Sequence, residues 1–247
     1  SMLALFEALA FLAMAACIKE GLAWYIVIPA WLLASALVYL AVSAAALRLH
    51  NKFLALLFSA QQPGEFVRLY APLTEAKSLR RNVRFTMKSY LACAYEAMGK
   101  YDKALSVLGA MPEQKGARQR QAQAIIAAQR CGVYLSMGKT DKAKQEYQAL
   151  QTAGNGAVRK QTAELLRIRI ALAEGKSTKQ DEAYVLLAIS KAATLLQKNE
   201  LKLLLGRIYA QIGEPGLSAA YLKEVSACPK ELHITADAKS ELARIEE

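Results

Sequence analysis

The sequence predicts an all-α protein in which an N-terminal transmembrane helical hairpin is followed by stacked helix-turn-helix units and a C-terminal capping helix. Two observations support this fold class. Residues 1–47 carry only three charged side chains, whereas the rest of the chain carries 31 Lys and Arg against 19 Asp and Glu. In that second region glycines recur at intervals of 37 to 39 residues, between segments whose apolar residues have helical spacing.

The N-terminal region contains two apolar runs. Residues 2–18 have Glu7 as their only charge, and residues 22–47 have none. At about 1.5 Å per residue, a helix over the second run is long enough to cross the roughly 30 Å hydrocarbon core of a bilayer. The polar segment Lys19-Glu20-Gly21 separates the runs. We therefore predict a two-helix membrane hairpin over residues 1–47, in contact with lipid through residues 2–47.

The charges around the hairpin predict its orientation. Arg48 and Lys52 follow the second run directly, whereas the Lys in the turn is offset by a Glu. The positive-inside rule then predicts an integral membrane protein whose basic body lies in the cytoplasm. Glu7 is either an intramembrane ionisable site or a near-terminal carboxylate that reaches the interface. A lipoprotein signal ending at Cys17 matches poorly, because no basic segment precedes the apolar run.

Residues 48–75 are predicted to form connecting helices between the hairpin and the repeats. Apolar clusters at residues 53–58 and 65–70 flank the turn-forming segment Gln61-Gln62-Pro63-Gly64. Their broad apolar faces would also suit a position along the lipid surface.

Residues 90–105 form the clearest helix-turn-helix unit. Leu91 and Tyr95 lie four apart on one helical face, and Gly99 is expected to end that helix. Tyr101 and Ala104 then begin a second apolar face at helical spacing. The pattern returns around the later glycines, with Tyr134, Gly138 and Ala143, then Leu172 and Gly175, then Gly206, Tyr209 and Gly213.

This repeated pattern resembles the tetratricopeptide repeat, a family of helical hairpins that stack into a solenoid and usually bind peptides or proteins. The resemblance implies such a solenoid over residues 76–247. Residues 231–245 have an apolar face and a charged face and suit a capping helix. The third unit departs most from the pattern, because Ala183 follows Gly175 several residues late.

The resemblance also implies a binding wall. In the family, ligands commonly lie on the concave face built from the first helix of each hairpin. Carried over by register, the candidate partner-binding residues are Ser89, Cys93, Glu96, Ala128, Gly132, Arg169, Arg207 and Gln211, with Glu200 also directed inward. Arg169 and Arg207 occupy equivalent places in successive units, so they would offer two guanidinium groups to an acidic partner.

Apolar residues on the same wall make an amphipathic helix or an extended apolar peptide a plausible guest. For leucines such as Leu135 and Leu165, packing between neighbouring hairpins is an equal alternative. The asparagines used by family members that grip a chaperone's terminal carboxylate are missing where the register requires them. We therefore do not expect that activity.

A basic stripe follows the connecting segment. The spacing of Lys77, Arg81, Arg84 and Lys88 predicts one face of a single helix, with Arg80 beside it. These side chains could contact anionic lipid headgroups, an acidic protein or RNA. A solvated helix face that also supports the positive-inside topology is an equally good interpretation.

Several functions are not expected. The sequence contains no phosphate-binding loop, dinucleotide glycine motif, nucleophile elbow or metal-binding His pair, so we predict neither an enzyme nor a cofactor. Nucleic acid binding is disfavoured because aromatic residues do not alternate with the basic ones. The predicted function is a membrane-anchored protein-protein interaction scaffold. The alternative is a structural or assembly subunit of a membrane complex.

Overall fold

A computed structural model describes residues 8, 11, 12, 14–16, 19, 24–153 and 157–246. Throughout this part of the chain the regular secondary structure is α-helical, which confirms the predicted all-α class. The first predicted membrane helix lies largely outside the described residues, and so do Glu7, Cys17 and the Glu20-Gly21 turn. The transmembrane hairpin therefore stays a prediction.

The longest helix, α1, covers Trp24–Phe58. Its 35 residues correspond to roughly 52 Å at 1.5 Å per residue. Among the described residues, the segment Tyr25–Phe58 is the one helix long and apolar enough to cross a membrane. It runs past the predicted end at residue 47 because no Gly or Pro interrupts residues 30–60. Residues 53–58 thus continue α1 and do not form a separate helix.

The chain divides into two compact units, Ser1–Lys52 and Phe53–Glu247. Residues 53–75 therefore group with the helices that follow them. The second unit contains, after the end of α1, the helices α2 (Pro63–Thr74), α3 (Arg81–Ala97), α4 (Tyr101–Gly109), α5 (Ala117–Ser136), α6 (Thr140–Thr152), α7 (Ala157–Ala173), α8 (Lys179–Ser190), α9 (Leu195–Gln211), α10 (Pro215–Ser226) and α11 (His233–Glu246).

The recurrent glycines lie at the predicted helix ends. Gly99, Gly138, Gly175 and Gly213 follow α3, α5, α7 and α9, with φ of 69°, 71°, 75° and 86°. Residues with a side chain rarely adopt this left-handed conformation, which commonly ends helices at glycine. The repeated glycine spacing therefore predicts the ends of α3, α5, α7 and α9 correctly.

The third pair differs from the others in how its second helix begins. Thr178 and Asp181 form a reciprocal capping box at the start of α8, and Asp181 is buried against Arg167 of α7 at 2.5 Å. Val185 is fully buried, whereas Ala183, the residue matched to the repeat pattern, is exposed. The longer segment after Gly175 thus moves the buried face of α8 along the helix.

The first helices of the pairs contact one another in sequence. Helices α3, α5, α7 and α9 each contact the next, α9 contacts α11, and α11 contacts α3. We call these five the ring helices. One hydrophobic cluster joins both ends of the unit, because Leu57, Tyr70 and Met87 pack with Leu222 and Ile234. The register predicted α11 at the end of the stack but not its contact with α3.

The predicted basic stripe does not lie along one helix. Lys77 and Arg80 precede α3, which begins at Arg81. The segment folds back so that Arg84 Nη2 donates to the Ala76 carbonyl at 2.8 Å. Lys88 Nζ lies 3.5 Å from Glu75 Oε1 and 3.4 Å from the Ala110 carbonyl. Only Lys77, Arg80 and Arg81 of this set are exposed. The helical-face prediction is wrong because Arg84 caps the preceding turn.

Candidate functional site

The ring helices enclose a central cavity of about 660 Å³ in the second unit. This volume lies within the usual range of ligand sites, about 300 to 1,000 Å³. Its wall is partly apolar, with Leu135, Leu165, Leu172, Leu201, Leu203 and Leu204. Charged groups from four of the ring helices also face it. We refer to it below as the central cavity.

The candidate partner-binding residues are brought together only in part. Those that line the central cavity are Cys93, Glu96, Ala128, Gly132, Arg169 and Arg207. Ser89 lies outside it, and its carbonyl accepts a hydrogen bond from Gln129 Nε2 at 3.1 Å. Gln211 also lies outside, where its amide donates to the Leu172 carbonyl and accepts from the Ser177 backbone N–H. Both contacts join neighbouring helix pairs.

Glu96 and Arg169 meet across the backbone of Gly132. A Cβ at position 132 would lie 3.3 Å from Glu96 Oε1 and 3.6 Å from Arg169 Nη1. Arg169 Nη2 donates to Ser136 Oγ at 3.1 Å. Burial raises the pKa of Glu96, while the Arg169 charge and the Ser136 hydroxyl act in the opposite direction. Arg169 and Ser136 thus compensate the burial of the Glu96 carboxylate only in part.

Glu200 differs from Glu96 because no side-chain hydrogen bond opposes the effect of burial on its pKa. Burial, reinforced by the negative charge of Glu96, raises the pKa of Glu200 to about 7, and the Arg169 charge only partly opposes this. No described residue forms a hydrogen bond or ion pair with its carboxylate. The Glu200 side chain faces the central cavity, where it is exposed to water.

Arg207 is held by the last helix. Its Nε donates to Glu241 Oε1 at 2.7 Å, and its Nη2 donates to Asp237 Oδ2 at 2.8 Å. Burial opposes the charged form, but the bonds to Glu241 and Asp237 outweigh burial and raise the pKa of Arg207. The expected pair of available guanidinium groups on one wall is therefore not observed, because α11 supplies two carboxylates to one of them.

The cysteine and the histidine of the cavity wall are both uncharged at neutral pH. Burial raises the pKa of the Cys93 thiol to about 12, and Gln129 Nε2 lies 3.0 Å from its sulfur. Burial lowers the pKa of His233, whose Nδ1 is 3.2 Å from the Ala97 carbonyl. Cys93 is therefore a protonated thiol, which is a poor nucleophile. Among the described residues, no group of three or more His, Cys, Asp or Glu could hold a metal ion.

The repeat pattern did not predict several polar residues of the site, among them Ser136, Asp237 and Glu241. Ser136 follows Gly132 by four residues, so its helical spacing was a usable signal. Asp237 and Glu241 are also four apart, on the charged face of α11. Their pairing with Arg207 was beyond the repeat pattern, because it depends on a contact between helices that no local spacing specifies.

Comparison of the chain with models of protein families, with curated proteins and with solved structures gives no match.

Proposed function

We propose that the chain is a membrane-anchored scaffold of the tetratricopeptide type, which binds a segment of a partner protein in the central cavity. The observation that carries this proposal is that the first helices of all four pairs line one cavity with both apolar and charged walls. Stacked hairpins commonly use this face for binding. A segment with apolar side chains and at least one polar group would match such a lining.

Packing at equivalent positions supports the repeat interpretation. Ala104, Ala143 and Ser218 each lie five residues after a turn glycine, and each is fully buried. At Gly206, a Cβ would lie only 3.0 Å from Leu222 Cγ, so α9 and α10 approach closely there. Small residues at matching places thus occur in the first, second and fourth pairs, whereas the third pair has Gln180, which is exposed.

The proposed membrane anchor is the hairpin predicted over residues 1–47, and the length of α1 supports it. The cytoplasmic location of the second unit rests on Arg48 and Lys52. The exposed Lys77, Arg80 and Arg81 would then contact anionic headgroups or an acidic protein surface. A Lys139→Cys variant tests the orientation, since position 139 is exposed in a turn. Labelling by a membrane-impermeant thiol reagent outside intact cells would contradict it.

A second candidate is a structural or assembly subunit of a membrane complex. It is favoured by exposed small residues of α1, among them Ala34, Ala41 and Ala45, which would allow close packing with other transmembrane helices. Mild detergent extraction followed by mass measurement separates the two candidates. A stoichiometric complex held through α1 would favour the subunit, and a lone particle would favour the scaffold.

The central cavity does collect ionisable groups, as an enzyme site would. Binding is nevertheless better supported than catalysis, because Cys93 is not activated and Arg207 is engaged by α11. Of the two facing carboxylates, Glu96 is partly compensated by Arg169 and Ser136.

Photo-crosslinking in native membranes tests the scaffold proposal. A benzoylphenylalanine at position 165 would face the central cavity, whereas one at position 187 would lie on the exposed face of α8, where Leu187 is 51% exposed. We expect a discrete partner adduct from position 165 and none from position 187. Equal labelling from both positions, or no adduct from position 165, would refute binding in the cavity.

A further inference from the structure

We propose that the central cavity selects a partner segment carrying a basic side chain, Lys or Arg, which pairs with the carboxylate of Glu200. This inference rests on the proposed function and names the chemistry of the guest. The charge proposed for the guest is opposite to the one expected from Arg169 and Arg207, which suggested an acidic partner.

The charges around the cavity favour a cation. Glu96, Glu200 and Asp237 face it, against Arg169 and Arg207. Arg207 is occupied by Asp237 and Glu241 at hydrogen-bonding distance. The acidic groups therefore exceed the basic ones before any guest binds.

The Glu200 carboxylate is the group available to pair with a guest. Arg169 lies beside Glu96 and donates to Ser136 Oγ and, at 3.5 Å, to the Gly132 carbonyl. Glu200 forms no ion pair or hydrogen bond with any described residue, yet it faces the cavity. The Glu200 side chain is exposed to water within the cavity, so its carboxylate is accessible to a guest. A Lys or Arg of the guest would supply the missing partner, and the leucines of the wall would contact its apolar neighbours.

Binding should depend on pH because the guest pairs with the ionised form. The groups around Glu200 are Glu96 and Cys93 on α3, Arg169 on α7, Arg207 on its own helix, and His233 and Asp237 on α11. Cys93 and His233 stay neutral near pH 7, and the arginines stay charged. With the pKa of Glu200 at about 7, the ionised fraction rises about tenfold between pH 6 and pH 8. The affinity for a basic guest should rise by about the same factor.

Selection from a randomised peptide library tests the inference. The probes are 12-residue peptides displayed on phage, and the target is the full chain in detergent micelles. Wild-type protein should enrich sequences with Lys or Arg at one position among apolar residues. Glu200→Gln should lose the basic preference and keep the apolar one, and Glu200→Lys should shift that position toward Asp or Glu. Glu113→Gln, an exposed substitution between α4 and α5, should select as wild type.

The outcomes separate the two proposals. Specific peptides without basic enrichment, or the same enrichment with Glu200→Gln, would overturn the pairing with Glu200 and leave the scaffold proposal standing. No peptide selected by any variant would overturn both. For one selected peptide, an affinity that rises about tenfold from pH 6 to pH 8 in wild type but not in Glu200→Gln supports the pairing. Equal pH dependence in both proteins would contradict it.

Discussion

Replacing Glu200 with Gln should stabilise the protein at pH 8 and leave its stability at pH 4 nearly unchanged. Glutamine has nearly the same size and removes only the capacity to ionise. At pH 8 the wild-type protein holds a negative charge inside the central cavity, close to the charge of Glu96. At pH 4 the Glu200 carboxyl is protonated in the folded protein and mostly protonated in the unfolded chain, so the substitution changes the free energy of unfolding little.

The magnitude follows from the position of the side chain. A pKa raised from 4.5 to about 7 corresponds to about 3 kcal/mol for a fully shielded carboxyl. Water reaches more than a third of the Glu200 surface, so after screening we expect about 1 kcal/mol. Because the folded pKa lies above the unfolded value, this stability is present below about pH 4.5 and is lost as the pH rises through about 7.

Thermal unfolding of the full chain in detergent, followed by circular dichroism at 222 nm from pH 4 to pH 8, measures the effect. For a unit of about 195 residues, 1 kcal/mol shifts Tm by about 2–4 °C. The Tm of Glu200→Gln should exceed that of wild type by this amount at pH 8 and converge with it at pH 4. Glu113→Gln controls for the loss of one surface charge. Parallel Tm curves for Glu200→Gln and wild type would refute the burial argument.

Two further substitutions probe helix packing. Asp181→Ala should lower the free energy of unfolding at pH 7 by about 2 kcal/mol, since it removes the capping box with Thr178 and the pairing with Arg167. Urea titration of Asp181→Ala and Thr178→Ala should give the larger loss for Asp181→Ala, and equal losses would contradict the ion-pair contribution. Gly206→Ala should destabilise by about 1–2 kcal/mol because its Cβ would meet Leu222 Cγ at 3.0 Å. In a Leu222→Ala background the same change should cost little, and an undiminished cost would place the strain elsewhere.

Local spacing was sufficient to predict the ends of four helices and the position of the last one. The turn glycines specify where α3, α5, α7 and α9 end, because each requires a left-handed backbone conformation that glycine adopts readily. The charged and apolar faces of residues 231–245 predicted α11, observed over His233–Glu246. Such features depend on residues within about one turn of each other, so they can be recognised in a single sequence.

Contacts between helices that are distant in sequence could not be predicted from local spacing. The prediction of a basic stripe on one helix was wrong because the chain turns before Arg81, where Arg84 donates a hydrogen bond to the Ala76 carbonyl. Arg207 was predicted to be available to a partner, but it pairs with Asp237 and Glu241, which lie about 30 residues further along the chain. The register directed Glu200 inward, but its lack of a partner depends on side chains from four ring helices.

Closure of the ring by α11 determines the electrostatics of the central cavity. Leu232, Ile234 and Ala238 of the C-terminal segment are almost completely buried, so this closure is part of the hydrophobic core. In an open groove, water would solvate Glu200 and its charge would discriminate weakly between guests. In the central cavity Glu200 lies among leucines and near Glu96, so its charge acts through a lower effective dielectric constant than in bulk water. The charge preference of the cavity should therefore depend on α11, a helix outside the four repeated pairs.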